Sequence, residues 1–323
     1  MYKRQPLYNP VSVSGYHIRE AGSTAAQELA FTLNNGFAYI EECLERGLKI
    51  DDFAHRLSFF FNAHMDFFEE IAKYRAARRI WANRLKDKYG AKNESSLKLK
   101  FHTQTAGCSL TAQQPENNIV RTAFEAMSAV LGGTNSLHTN SLDETLALPS
   151  EKAAKIALRT QQILAFETGV PNVADPLGGS WYIEELTDKL EKQAIRYFEE
   201  IQEMGGTVQA IEDGYFQKKI AESASIYQES VDSKERIIVG VNDFVEEDEE
   251  LDIEILKISR DAQDTQEDKI KTLRKSRDEK TLQEKMKKLS DACKKDLNLV
   301  PFLIEVAEQG GTCLLYTSPS PRD

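Results

Sequence analysis

The sequence has 323 residues, of which 41% are hydrophobic and 29% are charged, and its formal net charge is −11. This composition is typical of a globular protein with a sizeable core, and the length allows one large domain or two small ones. The acidic balance argues against a general affinity for nucleic acid or for anionic membranes, because both favour a basic surface. Much of the excess negative charge lies in one segment, Val245–Ile253.

The cysteines, the hydropathy and the amino-terminal peptide bear on where the protein works. Four cysteines, Cys43, Cys108, Cys293 and Cys313, show no CxxC spacing, which favours neither a disulfide framework nor a thiolate zinc site. No apolar run reaches the roughly 18 residues that a membrane-spanning helix needs, and the start lacks the apolar core of a signal peptide. The sequence therefore predicts a cytoplasmic protein without a membrane-spanning segment.

Short apolar runs that end in polar residues alternate along the chain with longer amphipathic segments. We predict four strands from these runs: Val11–His17, Leu97–Gln104, Ser136–Asn140 and Val173–Pro176. Strands that alternate with helices indicate a parallel sheet or barrel. Four such units are about half of what a closed eight-stranded barrel needs. We therefore expect the C-terminal half of a (β/α)8 TIM-type barrel, and we expect this fragment to be inactive alone.

Three helices are predicted between the strands. The first follows Asp51 and Asp52, and its apolar stripe is Leu57, Phe60, Phe61, His64, Phe67, Phe68 and Ile71. The second is capped by Asn117 or Asn118 and ends at Gly132-Gly133, with Val120, Ala123, Phe124, Met127 and Leu131 on its core face. The third is capped by Ser150, with Ala153, Ile156, Ala157, Thr160, Ile163 and Leu164 facing the core.

The pattern changes beyond about residue 235. A strand-like run, Ile237–Phe244, leads into the acidic segment, and Asp261–Lys295 has the charge pattern of a solvated helical connector. Leu273, Leu282, Met286 and Leu289 could pack one face of this connector against the body or a partner. We predict a partial barrel over residues 8–230, a connector over 231–312 and a non-native tail over 313–323.

Three histidines, His17, His102 and His138, fall at the ends of predicted strands, so a barrel would bring them to one mouth. Imidazoles there could donate hydrogen bonds, act as acids or bases, or bind a metal. Gln104, Asp143 and Glu144 would lie at the same rim. HxH and HExxH spacings are absent, which disfavours a metal-dependent hydrolase, and we predict no metal ligands. A non-catalytic assembly partner stays open as an alternative.

Five long segments resemble the large, barrel-bearing subunit of the methylmalonyl-CoA mutase family and its sister acyl-CoA mutases. They occur in family order: Ser14–Leu33, Arg56–Ala82, Phe101–Ala123, Gly132–Pro149 and Val173–Thr187. The resemblance runs from about residue 8 to about residue 312. It implies an adenosylcobalamin-dependent isomerase that rearranges methylmalonyl-CoA and succinyl-CoA by a radical mechanism, in which the cofactor supplies the hard chemistry and the protein positions and shields.

The resemblance also implies roles for individual residues. His17 of the SGYH motif would donate a hydrogen bond to the migrating thioester carbonyl, and Tyr16 would line the corrin side of the pocket. Arg56 and Ser58 of the RLS motif would bind the coenzyme A portion, for which an arginine fork suits phosphate. The remaining cofactor contacts would come from two further motifs: Gln104 and Gly107 of HTQTAG, and Glu144 of SLDE.

Two family features are not found in the sequence. The earlier barrel strands, which grip the acyl end of the substrate in the family, are absent, so isobutyryl-CoA or a hydroxylated analogue stays open as the substrate. The DxHxxG motif of the cobalamin-binding domain is absent too. We therefore expect a separate cobalamin-binding subunit or domain as a partner, in a hetero- or homo-oligomer.

Overall fold

The computed structural model describes residues 9–246, 253, 255–257, 259–295 and 297–312. The chain consists of two compact units, with the boundary between Leu256 and Lys257. The first is a mostly helical α/β unit with a parallel sheet, and the second is helical. Within the described ranges, no helix is both long and apolar enough to cross a membrane. The predicted tail, residues 313–323, lies outside those ranges, as does most of the acidic segment.

The first unit alternates strands with helices along the chain. Its strands are β1 (Val11–Ser14), β2 (Leu57–Ala63), β3 (Phe101–Thr105) and β4 (Ser136–His138). Its α-helices are α1 (Tyr16–Glu20), α2 (Ala25–Glu45), α3 (Ile50–Phe53), α4 (Phe67–Asp87), α5 (Glu94–Leu97), α6 (Asn117–Leu131), α7 (Glu151–Phe166), α8 (Trp181–Glu203), α9 (Thr207–Glu212) and α10 (Tyr215–Asp232). Short 3-10 helices lie at Ala54–Arg56 and Val170–Asn172.

The four strands pair in parallel in the order β1-β2-β3-β4. In this register, Asn62 of β2 lies opposite Gln104 of β3, and Gln104 lies opposite His138 of β4. Each connection places the next strand beside the previous one, always on the same side. Because such crossovers are right-handed, the connecting helices lie on one face of the sheet.

The core lies on the helix-covered face of this sheet. Phe59 and Phe61 of β2 and Phe101 of β3 are buried there with Tyr74 and Trp81 of α4. The stack of Tyr74 on Phe101 has ring centroids 5.2 Å apart, and Phe59 meets Trp81 edge to face at 4.9 Å. Aromatic side chains of this size contribute most of the burial that holds strands to helices.

The opposite face of the sheet, which we call the open face, carries the alternate residues of each strand. These residues are more polar and, apart from buried Asn62, more exposed than those on the helix-covered face: Ser12, Ser14, Ser58, Phe60, Asn62, His102, Gln104, Ser136 and His138. The two faces therefore differ in chemistry. One is an aromatic core, and the other presents hydroxyl, imidazole and amide groups.

The first predicted helix was wrong over Leu57–His64 and is confirmed over Phe67–Ile71. Residues Leu57–Ala63 form β2, and helix α4 begins only at Phe67, where the side chain of Asp66 accepts a hydrogen bond from the Glu69 amide. Alternate residues of β2 face the helices, while Phe60 lies on the open face. Since both faces of this strand carry aromatic residues, its period of two was hidden by an accidental helical spacing.

The predicted strand Val173–Pro176 and the strand-like run Ile237–Phe244 do not form strands of the sheet. No strand forms at Val173–Pro176, where Asp175 adopts a positive φ of 47° and its carboxylate pairs with Arg75. The run Ile237–Phe244 forms a turn with one isolated bridge between Val239 and Asp243. Both segments are short apolar runs next to turn-forming residues, and periodicity cannot separate these from strands.

Helix α6 was predicted correctly as a helix, but its buried face was not. Val120 and Phe124 are 53% and 54% exposed, whereas Arg121 and Glu125 are buried. Its first turn has no side-chain cap and follows Glu116, so the predicted asparagine cap was wrong. The predicted end at Gly132 is confirmed.

Helix α7 and the second unit agree more closely with the sequence patterns. The Ser150 side chain caps α7 by accepting from the Ala153 amide at 3.2 Å. In the second unit, helices α11 (Arg260–Ser276), α12 (Glu279–Cys293) and α13 (Val300–Glu308) confirm a helical segment. Leu282 and Leu289 pack there against Val306 and form a small core within that unit.

Candidate functional site

Helix α1 begins two residues after β1 and sets the position of two predicted site residues. Gly15 precedes it, and its amide donates to the Phe60 carbonyl at 2.8 Å. A Cβ at Gly15 would lie 2.0 Å from the Thr32 hydroxyl, so no larger residue fits at this turn. Tyr16 and His17 follow directly, at the carboxyl edge of the sheet. This edge is where parallel α/β folds place their chemistry.

The His17 imidazole is exposed and is held from one side. Its Nδ1 atom lies 3.0 Å from the Ser14 hydroxyl. Its ring meets Phe60 edge to face, with centroids 6.3 Å apart, and Phe60 also stacks on Tyr16 at 4.9 Å. When the Ser14 hydroxyl donates to Nδ1, the imidazole proton resides on Nε2, which makes that atom a hydrogen-bond donor.

Tyr16 is joined to β3 and β4 by an amide network. The side-chain nitrogen of Gln104 donates to the Tyr16 hydroxyl at 2.9 Å and to the side-chain oxygen of Asn140 at 2.8 Å. Asn140 is buried and bonds both the backbone and the side chain of Thr105. Burial, and next the negative charge of Glu20, raise the pKa of Tyr16 above its usual value. The phenol therefore stays protonated at neutral pH.

Gly107 lies in the loop after β3, among the same side chains. A Cβ added there would lie 3.0 Å from a Glu20 carboxylate oxygen, 3.5 Å from Asn140 and 3.6 Å from the Tyr16 hydroxyl. The absence of a side chain thus keeps the backbone open among polar groups. The adjacent Cys108 thiol has its pKa raised to about 12, by burial first and then by Glu20, so it is a neutral thiol.

Arg56 and Ser58 lie at the opposite end of the sheet from Gly107. Ser58 is the second residue of β2, on the open face, and its hydroxyl donates to the Val11 carbonyl at 3.3 Å. Asn62, near the carboxyl end of the strand, lies four positions after Ser58, a rise of about 13 Å. The structure therefore places the predicted coenzyme A residues apart from the predicted cofactor residues, with the open face between them.

The acidic residues after β4 divide into one buried and one exposed. Asp143 is buried and accepts from the Ser150 amide at 2.8 Å, which ties it to the start of α7. Glu144 is exposed, and its charge is close enough to contribute to the raised pKa of Tyr16. Glu144 is thus near the network that contains Tyr16 and Gln104, whereas Asp143 has a structural role.

His102 and His138 both lie on the open face, on neighbouring strands, where His102 is opposite Ser136 and His138 is opposite Gln104. The His102 Nδ1 atom lies 2.7 Å from the Ser136 hydroxyl, and its ring is 5.0 Å from Phe60. Burial, and next the proximity of His138, lower the pKa of His102. His102 is therefore a neutral hydrogen-bonding group at pH 7.

Comparison with known proteins identifies the family of this chain. The family model for methylmalonyl-CoA mutase matches residues 1–314. The chain belongs to the methylmalonyl-CoA mutase family. The predicted site residues of this mutase-family chain, from Tyr16 to Glu144, all lie within the matched segment.

Three relatives align with most of the mutase-family chain. It is 47% identical over 311 residues to the 2-hydroxyisobutanoyl-CoA mutase large subunit of Aquincola tertiaricarbonis. The aligned segment covers 96% of this chain and 55% of the relative. Methylmalonyl-CoA mutase of Rhizobium meliloti is 47% identical over 312 residues, 96% of this chain and 44% of the relative. The human mitochondrial methylmalonyl-CoA mutase is 50% identical over 256 residues, 79% of this chain and 34% of the relative. The chain thus spans between a third and about half of these relatives.

The sequence analysis did not assign four polar or aromatic residues to the candidate site: Glu20, Phe60, Asn62 and Asn140. Phe60 and Asn62 were hidden by the wrong helix, since only a strand alternates them onto the open face. Asn140 stands two residues after His138 and could have been found by its position at a strand end. Glu20 gave no sequence signal, because its partners lie 42 and 87 positions away.

His64, predicted on a helix, directly follows β2 at this edge of the mutase-family chain. Its ring nitrogen Nδ1 accepts from the Met65 amide at 2.8 Å. It lines two adjoining cavities of about 360 and 450 Å³, both of which also contain Cys108. Burial, and next the charge of Arg19, lower the pKa of His64 to about 3.

The lowered pKa of His64 predicts that the protein loses stability in acid. The unfolded imidazole titrates near 6.5, so between about pH 6.5 and 3 the unfolded state binds a proton that the folded state rejects. We therefore expect the His64 contribution to lower the free energy of unfolding by about 1.4 kcal/mol for each unit by which the pH falls within this window. Urea unfolding of wild type and His64→Asn from pH 7 to pH 4.5 measures the difference in slope. Equal slopes for both proteins would contradict the prediction.

Proposed function

We propose that this chain is the second half of a (β/α)8 barrel from an adenosylcobalamin-dependent acyl-CoA mutase that interconverts methylmalonyl-CoA and succinyl-CoA. The consecutive parallel strand order, with helices on one face, is the arrangement of a barrel wall. A doubly wound sheet would reverse strand order and carry helices on both faces. The open face would then line the barrel interior.

The observation that carries the proposal is the network at the carboxyl edge that joins three elements. Tyr16 from α1, Gln104 from β3 and Asn140 after β4 are joined by hydrogen bonds of 2.8 and 2.9 Å. Gly107 lies beside them in a cradle that a Cβ would fill. Neutral amide and hydroxyl groups around an open backbone fit a large, amide-rich cofactor. Adenosylcobalamin, when bound, supplies a carbon radical that abstracts hydrogen from the substrate.

His17 has the position to polarise the substrate thioester. When the Ser14 hydroxyl donates to Nδ1, the Nε2–H of the exposed ring is the donor that would bond the carbonyl oxygen of the migrating group. The ring of Phe60 packs against both side chains, edge to face with His17 and stacked on Tyr16. Aromatic contacts of this kind hold the donor in one orientation without adding a competing polar group.

Arg56 and Ser58 would bind the coenzyme A portion at the other end of the open face. Arg56 ends a 3-10 helix at the amino end of β2, and Ser58 follows on the strand. A guanidinium can hold a phosphate with two parallel hydrogen bonds. An acyl-CoA bound at these residues would run along the open face toward His17.

The second candidate is a sister mutase that acts on a hydroxylated or unsubstituted isobutyryl-CoA. It is favoured by the relative named as a 2-hydroxyisobutanoyl-CoA mutase large subunit, which is 47% identical over 96% of this chain. A large-subunit relative also supports a separate cobalamin-binding small subunit or domain as partner. The upstream segment of the parent protein would carry the groups that select the acyl end.

The test uses the full-length protein that carries this segment, supplied with adenosylcobalamin and any partner subunit. Methylmalonyl-CoA, 2-hydroxyisobutyryl-CoA and isobutyryl-CoA are offered separately, and products are separated by chromatography with mass detection. We expect succinyl-CoA from methylmalonyl-CoA. A rearranged product from either of the others alone would establish the sister activity, and no isomerisation of any of the three would overturn the proposal.

The isolated chain is predicted to associate. Both sheet edges, β1 and β4, are unpaired within the described residues, and Trp181 and Phe166 are 93% and 84% exposed. Unpaired edges and exposed aromatic groups favour pairing with other chains. Size-exclusion chromatography with light scattering is expected to show oligomers or aggregates. A monodisperse monomer over a tenfold range of concentration would contradict this expectation.

A further inference from the structure

The carboxylate of Glu20, the last residue of α1, accepts three hydrogen bonds from two separate parts of the sheet edge. One oxygen, Oε1, accepts from the Asn62 side chain at 2.6 Å and from the Gly107 amide at 2.9 Å. The other oxygen, Oε2, accepts from the Cys108 amide at 2.9 Å. The side chain therefore bridges α1, the end of β2 and the loop after β3.

Two consecutive backbone N–H groups that point at one carboxylate form a concave anion site, and hydrogen bonds to an ionised acceptor are stronger than neutral ones. The same loop is also held at its start, where the Ala106 amide donates to the Ala63 carbonyl at 2.8 Å. At its far side, the Leu110 amide bonds the Gly107 carbonyl at 3.1 Å. Between these backbone bonds, the orientation of Gly107 and Cys108 depends on Glu20.

Gly107 and Glu20 also fit each other in space. A Cβ at position 107 would lie 3.0 Å from Glu20 Oε2, which is tighter than nine in ten real contacts of this kind. A side chain there would displace the carboxylate by a few tenths of an ångström, so a glycine at 107 lets Glu20 keep this position. The same added Cβ would lie 3.6 Å from the hydroxyl of Tyr16, which lies one turn before Glu20 on helix α1.

We propose that Glu20 is a positioning residue that fixes the Ala106–Cys108 loop and so presents the Gly107 backbone to the cofactor. The inference rests on the mutase function proposed above for the part that concerns the cofactor. The part that concerns the loop stands on the hydrogen bonds alone. Neither part requires Glu20 to touch the substrate or the reacting atoms.

The first experiment measures amide hydrogen exchange of this loop in the cofactor-free full-length protein. In Glu20→Gln, one oxygen is replaced by an NH2 group, which cannot accept from the Cys108 amide. We expect the peptide that contains Gly107 and Cys108 to exchange at least tenfold faster than in wild type. Glu20→Asp retains the charge but is one methylene shorter, so it is expected to loosen the same peptide.

A matched control is Glu69→Gln on helix α4. Glu69 lines the same 450 Å³ cavity as Glu20, and its ion pair is with Arg19 at 3.9 Å. We expect the Gly107 peptide to exchange in this variant as in wild type. Circular dichroism and thermal melting establish that each variant is folded. Unchanged exchange in both Glu20 variants would overturn the positioning role.

The second experiment titrates adenosylcobalamin into the full-length variants and follows the visible absorption of the bound cofactor. We expect Glu20→Gln to weaken cofactor binding at least tenfold, with the KM for acyl-CoA changed less than twofold. A loosened loop with unchanged cofactor affinity would overturn the link between loop and cofactor. If wild type itself binds no cobalamin, the proposed function fails, while the exchange data still decide whether Glu20 holds the loop.

Discussion

Replacing Lys73 by methionine is expected to lower the free energy of unfolding by about 3–5 kcal/mol, the range for breaking a buried ion pair from one side. The Lys73 ammonium is fully buried and pairs with Glu28 at 2.5 Å and with Glu70. It also donates to the Asn62 carbonyl at 2.8 Å. Without Lys73, the buried carboxylates of Glu28 and Glu70 lose the positive charge that offsets their desolvation.

The buried cluster of Lys73, Glu28 and Glu70 contacts the candidate site through Asn62 at the end of β2. Glu28 accepts from the Asn62 amide at 2.7 Å, and the Tyr74 hydroxyl donates to the Asn62 carbonyl at 2.6 Å. The side chain of Asn62 in turn reaches Glu20. We therefore expect Lys73→Met to disturb the end of β2 before other parts of the sheet.

Urea unfolding with two companion variants checks the Lys73 prediction. Lys88→Met removes an exposed pair with Glu41, for which we expect less than about 1 kcal/mol. The double variant Lys73→Met/Glu28→Gln removes one of the stranded charges, so it is expected to be more stable than Lys73→Met. A loss for Lys73→Met no larger than for Lys88→Met would show that the buried pair adds little.

The sequence patterns that proved correct are those whose partners are close in the chain. Ser150 caps α7 through an amide three residues away, and Gly132 ends α6 in the way that a helix stop predicts. The predicted starts of β1 at Val11 and of β4 at Ser136 are confirmed, whereas the predicted end of the first strand at His17 was wrong, because Tyr16 and His17 belong to helix α1. The helix cap and the helix stop depend on hydrogen bonds within one turn, so both partners lie within a few residues of each other in the sequence.

The failures concern residues whose environment is set by distant partners. Helix α6 buries Arg121, which donates to the Val239 carbonyl 118 residues away, and Asn118, which bonds Leu142. Val120 and Phe124 are left on the exposed side as a result. Periodicity assigns the apolar stripe to the core because it cannot register a polar network that takes the interior position instead.

The resemblance and the structure contributed different parts of the candidate site. Tyr16, Gln104 and Gly107 were named by motif, and the structure brings them together around Asn140. Their joint position depends on parallel pairing of strands that are far apart in the chain. The sequence motif supplied the identity of these residues, but only the pairing of the strands explains why one hydrogen-bond network can include them all.

In the full-length protein, replacing His17 by alanine is expected to lower kcat by about 10²–10³, the effect of losing one pre-positioned donor to a developing charge. The imidazole is fixed between Ser14 and Phe60 before any substrate arrives. Because the bond to the carbonyl would strengthen as the group migrates, we expect the loss in kcat rather than in the KM for acyl-CoA. Steady-state kinetics with the acyl-CoA that wild type isomerises give both constants.

Ser14→Ala separates the orientation of His17 from its presence. This variant keeps the imidazole but removes the hydroxyl that lies 3.0 Å from Nδ1, so the ring can adopt the other tautomer or rotate. We expect a loss in kcat of roughly tenfold, between wild type and His17→Ala, as is typical for a group that orients a polar partner. A His17→Ala enzyme with kcat within twofold of wild type would contradict the role of His17. A Ser14→Ala enzyme as impaired as His17→Ala would mean that the hydrogen bond to Nδ1, rather than the ring alone, makes His17 competent as a donor.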